Sequence, residues 1–170
     1  MRLCADPERL ERDFQAARRE AKSAFGDDSV YLEKAIERPR HVEVQVFGDA
    51  HGTAVHLYER DCSIQRRYQK LIEESPAFNI RPETRAKMHA CAVELAKSIS
   101  YSSVGTMEFL LDTHTEDFYF IEMNTRLQVE HPVSEMVTLT DIVKEQIWIA
   151  AGAELSLSQD QVTLVGHAIE

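Results

Sequence analysis

The chain has 170 residues, with 29 Asp and Glu against 19 Lys and Arg and a net charge of -10. That balance argues against a binder driven by the nucleic-acid backbone, which would be basic, and no apolar run reaches the length of a membrane span. Cys4, Cys62 and Cys91 are widely spaced, odd in number and without a Cys-x-x-Cys pair, which points to free thiols in a reducing compartment and to no zinc site. No secretory or transit segment is visible near Met1, so secretion is not expected.

Taken in order, Asp6-Pro7-Glu8 reads as a cap, a first-turn proline and an acid at the positive end of a helix. Leu10, Phe14, Ala17, Ala21 and Phe25 form its apolar stripe and Gly26 ends it. Ser29 to Lys34 reads as a strand. His41 to Phe47 alternates, with His41, Glu43 and Gln45 on one face and Val42, Val44 and Val46 on the other. Gly48 to Gly52 supplies a turn, and Thr53 to Glu59 returns as the second arm of a hairpin.

Asp61 to Glu74 has neither period and reads as an irregular polar segment of the kind that lines sites. Pro82 begins a helix to about Ser98, with Met88, Ala92, Leu95 and Ile99 inward. Gly105 to Leu111 and the run from Phe118 form a second hairpin across Asp112 to Asp117. A helix follows from about Thr140, its cap, to Ala151, with Ile142, Ile147 and Ala150 toward the core and Gly152 as the stop. Gln161 to Glu170 reads as a strand without a partner. The fold class is α+β, an antiparallel sheet with flanking helices.

The chemistry concentrates in Asp117 to Pro132. Alternate residues of an extended chain share a face, so Glu122, Asn124, Arg126, Gln128 and Glu130 start out together. Fully extended, Glu122 to Glu130 would span roughly 26 Å, too long for one site, so the chain must curl after Asn124. If Asp112 faces Phe118, Glu108 faces Glu122, and two carboxylates at paired positions repel. A divalent cation relieves that, and Glu and Asn oxygens suit Mg²⁺ or Mn²⁺. The plainer alternative is the solvated polar side of a hairpin. Arg126 offers a fork to an oxyanion, and Glu130 can serve as a general base.

The run Glu122-Met123-Asn124-Thr125-Arg126-Leu127-Gln128-Val129-Glu130-His131-Pro132 resembles the signature of biotin carboxylase, the ATP-grasp module of biotin-dependent carboxylases. Glu33-Lys34, Pro39 to Val46, Glu59 to Arg67 and Gln69-Lys70 match the same family in the same order. The resemblance implies an ATP-grasp fold, incomplete here, with residues 1–34 as the end of the lid subdomain and 35–170 as part of the main one. It implies that ATP and bicarbonate give carboxyphosphate, whose carbon dioxide passes to biotin carried on a partner domain.

By the same resemblance, Glu33, Lys34, Ala35 and Ile36 line the adenine, and His41, Gln65, Tyr68 and Lys70 reach nucleotide or bicarbonate. Many relatives have histidine where Tyr68 stands. Glu108, Glu122 and Asn124 hold Mg²⁺ or Mn²⁺. Gln128 and the Val129 backbone position bicarbonate, Glu130 is the base and Arg126 the catalytic cation.

The six glycines are unclustered, so the glycine-rich lid of the family is not among them, and isolated catalysis is not expected. The residue choices resemble acetyl-, propionyl- or methylcrotonoyl-CoA carboxylases. Expected partners are ATP, bicarbonate, a biotin carboxyl carrier domain and a carboxyltransferase subunit, in an oligomeric enzyme of the bacterial cytoplasm or the mitochondrial matrix. A carbamoyl-phosphate-synthase-like ligase and a non-catalytic fragment or interaction module are the alternatives.

Overall fold

The computed structural model describes residues 2–170, which fall into two compact units divided between Glu37 and Arg38. In the first, the Asp6 carboxylate accepts from the Glu8 N–H at 3.0 Å and a short 3-10 turn over Pro7–Arg9 leads into helix α1, Leu10–Phe25. Gly26 adopts φ +76° and closes the helix by donating to Lys22, a conformation glycine adopts without steric cost. Leu10 and Phe25 remain exposed, and among the described residues of this unit there is no second α-helix and no strand to cover the stripe. Ser29 to Lys34 is not a strand: a strand needs a ladder partner, and none is formed there.

The second unit is a six-stranded antiparallel sheet ordered β5-β4-β1-β2-β3-β6. Its strands are β1 Pro39–Gly48, β2 Ala54–Arg66, β3 Gln69–Ser75, β4 Ser103–Asp112, β5 Phe118–Asn124 and β6 Ala168–Ile169. Helix α2, Pro82–Ser98, covers one face. Val42, Val44 and Val46 pack there with Met107, Phe109 and Leu111 of β4 and Met88, Ala92 and Ala96 of α2. Ala96, rather than the exposed Ile99, completes the inward stripe of α2.

The opposite face divides along its length. At the β1–β2 turn it is apolar, with Phe47, Val55, Leu57 and Val104 meeting Ile142 and Ile149 of helix α4, Ile142–Ala150. Toward the other end of β1 the same face carries Gln45, Glu43 and His41, and Glu43 and Gln45 are fully buried.

Four further expectations change. Asp61 to Glu74 is a hairpin: β2 runs on to Arg66, which pairs with Gln69 across a two-residue turn. Arg67 and Tyr68 both take positive φ, +52° and +66°, the backbone of a type I′ turn. Neither residue signals such a turn, and register shifts between Asp61 and Gln65 break the alternation. A further helix, α3 His131–Thr138, precedes α4. In α4 the cap is Asp141, accepting from Lys144 N at 2.9 Å, and Ile149 points inward while Ile147 and Ala150 stay exposed. Finally, Ala168 and Ile169 do have a partner, Ser75 and Glu74 of β3.

The candidate active site

The site grows from three adjacent strands whose side chains meet on one face. Glu43 in β1 lies opposite Arg60 of β2 on one side and Glu108 of β4 on the other. The β2–β3 hairpin sets Gln65 across from Lys70, and the length of the lysine carries its ammonium over β1. There Lys70 Nζ donates to Glu43, to Glu130 at 2.6 Å and, at 3.4 Å, to Glu108.

His41 joins from the same face of β1. Its Nε2 lies 2.8 Å from Glu108 Oε2 and 3.4 Å from Glu43 Oε1, while Gln65 Nε2 reaches its Nδ1 at 2.7 Å and the Cys62 carbonyl at 2.7 Å.

Glu122 faces Glu108 in the ladder, as the register argument requires, but by a different route. Phe118 pairs with Leu111, not Asp112, and an irregularity between Glu108 and Phe109 restores the offset. The ladder ends at Asn124, whose amide nitrogen donates to Glu108 Oε1 at 2.6 Å. Beyond it the chain curls back, so that Gln128 Nε2 also donates to Glu108 Oε1, at 3.3 Å. Glu130 sits at the N-terminal end of α3, where the helix dipole favours negative charge.

These groups are largely removed from water, and their charges are held by one another. Burial raises the Glu108 carboxyl, but the hydrogen bond from His41 and the Lys70 charge override it and leave its pKa at about 2. Burial also raises Glu130, and the Lys70 hydrogen bond brings it below its usual value. Lys70 is lowered by burial and raised more by Glu43 and Glu130, so it stays charged well past neutrality. Burial keeps Cys62 a neutral thiol.

The structure thus brings together His41, Gln65, Lys70, Glu108, Asn124, Gln128 and Glu130. Glu122, Arg126 and Val129 are exposed, and Arg126 donates to the Leu127 carbonyl at 3.2 Å. Tyr68 lies exposed at the hairpin tip. Glu33, Lys34 and Ala35 are exposed, and Ile36 is half-buried, within the first unit.

Two central residues escaped the sequence reading, Glu43 and Arg60, both fully buried. Glu43 was signalled by sharing the face of His41. Arg60 had no such signal, because only the β1–β2 register puts it beside Glu43.

The donor set fits a hard divalent cation. His41, Glu43 and Glu108 offer ligand atoms within 4.8 Å of one another, Asn124 adds an amide, and the acids outnumber the one ammonium among them. Glu43, Cys62 and Glu130 converge equally closely, but a neutral thiol is a poor third ligand.

The family model described as carbamoyl-phosphate synthase L chain, ATP binding domain, matches residues 1–158. The chain is 55% identical over its whole length to the mitochondrial methylcrotonoyl-CoA carboxylase subunit alpha of Glycine max, of which it covers 23%. It is 56% identical, again over its whole length, to the biotin carboxylase of Nostoc, covering 38% of that protein. Among solved structures, it resembles the biotin carboxylase β,γ-ATP complex from Campylobacter jejuni, with a TM-score of 0.89 and 53% identity over 99% of the chain and 37% of that protein. The biotin carboxylase domain of a thermophilic 2-oxoglutarate carboxylase, solved with bicarbonate, gives a TM-score of 0.92 and 52% identity, covering 99% of the chain and 38% of that one.

Proposed function

This chain belongs to the family of carbamoyl-phosphate synthase L-chain ATP-binding domains, and from that premise we propose that it carries part of the active site of a biotin carboxylase. The reaction is ATP-dependent carboxylation of biotin through carboxyphosphate. The observation that carries this reading is the seat of Lys70 between Glu43, Glu108 and Glu130, on a chain more than half identical to biotin carboxylases along its whole length.

In this reading bicarbonate lies beside Lys70 and Glu130, held by the Gln128 amide and the Arg126 fork. Glu130, ionised at neutral pH, takes the proton of bicarbonate. The freed oxyanion attacks the γ-phosphorus of ATP, ADP leaves, and carboxyphosphate is formed. Lys70 and Arg126 stabilise the negative charge that builds on the transferring group. Carbon dioxide released from carboxyphosphate then bonds to biotin N1, whose proton passes to the phosphate.

Glu108, Glu122 and Asn124, with Glu43 and His41 beside them, would hold Mg²⁺ or Mn²⁺, which neutralises triphosphate charge when bound. Glu33, Lys34, Ala35 and Ile36 are assigned to the adenine, and Tyr68 to stacking or hydrogen bonding against the nucleotide. Biotin arrives on a carrier domain, and a carboxyltransferase consumes the product in an oligomeric acyl-CoA carboxylase.

Among the described residues no helix is long and apolar enough to cross a membrane. The named methylcrotonoyl-CoA carboxylase relatives are mitochondrial, which fits the matrix, or the cytoplasm in a bacterium.

The test is a calorimetric titration of the chain with ATP, with and without Mg²⁺, beside a Glu108→Gln, Glu122→Gln double variant. Magnesium-dependent binding that the double variant loses is expected. Equal binding by both folded proteins would sink the metal assignment. ATP cleavage that does not depend on biotin, in a complete enzyme carrying this sequence, would favour the carbamoyl-phosphate-synthase-like alternative.

A further inference from the structure

Beneath the site lies a charge to which the reaction above gives no task. Arg60 is fully buried and reaches five side chains from three elements, β1, β4 and α3, and from the loop after β5. Its Nη1 donates to Gln45 Oε1 at 2.6 Å and Ser134 Oγ at 2.9 Å. Its Nη2 donates to Gln128 Oε1 at 2.9 Å, Glu43 Oε2 at 3.2 Å and Thr106 Oγ1 at 3.3 Å. Its Nε has no partner among the described residues. Burying a guanidinium is costly, and satisfied packing with apolar side chains is often as stable.

The chemistry of the fork makes the arrangement directional. A guanidinium has only donors, so a carboxamide resting on it must turn its oxygen toward it. Both glutamines obey: Gln45 gives its oxygen to Arg60 and its nitrogen to the Gly105 carbonyl at 2.8 Å. Gln128 gives its oxygen to Arg60 and its nitrogen to Glu108.

We propose that Arg60 is a positioning residue that fixes the Gln128 carboxamide with its NH₂ group facing the acid cluster, so that Gln128 meets an anion bound beside Lys70 as a donor and never as an acceptor. The inference rests on the reading in which that anion is bicarbonate. It explains why an ion sits under a site already rich in charge: the Glu108 contact that also selects the NH₂ end is long, at 3.3 Å, and the shorter Arg60 contact, at 2.9 Å, holds the other end, the one that repels an oxyanion, away from the ligand.

The test uses the ¹⁵N-labelled chain and the Arg60→Lys variant, which keeps the charge but not the planar fork. The Gln128 side-chain amide signals are assigned by their loss in Gln128→Met. In the parent chain they are expected as two well-separated proton resonances protected from exchange, and in Arg60→Lys as a merged, rapidly exchanging pair, while the Gln65 pair stays put. Unchanged Gln128 signals in a folded Arg60→Lys chain would overturn the proposal. If Arg60→Lys fails to fold, Ser134→Ala with Thr106→Ala, which loosens the guanidinium without removing it, serves in its place under the same criterion.

Titration with bicarbonate in the presence of MgATP separates this from the reaction assignment. Affinity is expected to fall about 10- to 100-fold in Arg60→Lys, the range for one hydrogen bond to a charged group, with no such fall when Gln128 is already Met. Equal falls in both backgrounds would mean that Arg60 acts on folding alone and would overturn its positioning role. Absence of bicarbonate binding to the parent chain, with Gln128 still protected through Arg60, would overturn bicarbonate as the ligand and leave the orientation of Gln128 supported.

Discussion

Replacing Lys70 by Met keeps the apolar stem and removes the ammonium from among three acids. The side chains of Glu43, Glu108 and Glu130 are each no more than 9% exposed, so the loss falls on groups that water cannot easily rescue. Removing one partner of a buried ion pair costs about 3 to 5 kcal/mol. The three contacts share one cation and do not add. Arg60 remains on Glu43 and His41 remains on Glu108, which leaves Glu130 as the acid most affected and favours the low end, about 3 kcal/mol. At the few degrees per kcal/mol usual for this size, Tm should fall by about 6 to 12 °C.

Thermal unfolding at pH 7 measures this, and a second scan in millimolar Mg²⁺ should recover more stability in Lys70→Met than in the parent, because cation and ammonium compete for the same oxygens. The pH dependence has a definite sign. Glu130 and Glu108 are held below their ordinary values in the folded chain. The stability they contribute is therefore complete above the unfolded value near 4.3 and is lost as pH falls through the folded values. The gap between the two proteins should narrow below pH 4. A Tm within about 2 °C of the parent at pH 7, set against the shift expected at this chain length, would refute the reasoning, as would equal Mg²⁺ stabilisation of both.

Asp49 accepts from the N–H groups of His51, Thr53 and Leu155 at 2.9, 2.8 and 2.9 Å, so Asp49→Ala should cost about 3 kcal/mol by urea titration at pH 7. Burial raises that carboxyl but these hydrogen bonds lower it more, and the cost should therefore vanish as pH falls through the depressed value; a constant gap down to pH 2 would contradict it. Replacing Arg67-Tyr68 by Asn-Gly relieves two non-glycine residues at positive φ and should raise stability by about 1 to 2 kcal/mol; a lowered Tm would show that the turn is not strained. In a whole biotin carboxylase carrying this sequence, Glu130→Gln should cut bicarbonate-dependent turnover about 100-fold or more with KM for ATP little changed, and an equal loss of both would contradict its role as the base.

What could be read beforehand followed physical periodicity. The β1 alternation, helices α1 and α2, and the opposition of Glu108 and Glu122 are all properties of a local pattern. The last of these came out correctly through two offsets that cancel, one at the turn and one at the bulge beside Phe109. Position within the sheet was harder. Nothing in Arg67-Tyr68 announces a two-residue turn, so β3 was hidden, and with it the partner of β6. Helix α3 was missed because Glu130, His131 and Pro132 were read for their chemistry, although a proline in a first turn is also a helix start.

Glu43 and Arg60 show most clearly where local reading stops. Each is ordinary in its own strand, and each gains its meaning only from the residue opposite. The middle of a covered sheet is where apolar side chains stabilise most, and Val42, Val44 and Val46 occupy the other face of β1 in that way. On the face that carries Glu43, Gln45, Arg60, Thr106 and Glu108, all at most 6% exposed, the chain instead maintains charges and amides that need one another to remain folded. Such a layer contributes little to stability beyond what valines would supply, since the desolvation of each charge offsets much of its attraction. That the fold keeps it across three adjacent strands, with Lys70 brought over it from beside a turn of two non-glycine residues at positive φ, is what the ligand-binding role proposed above accounts for.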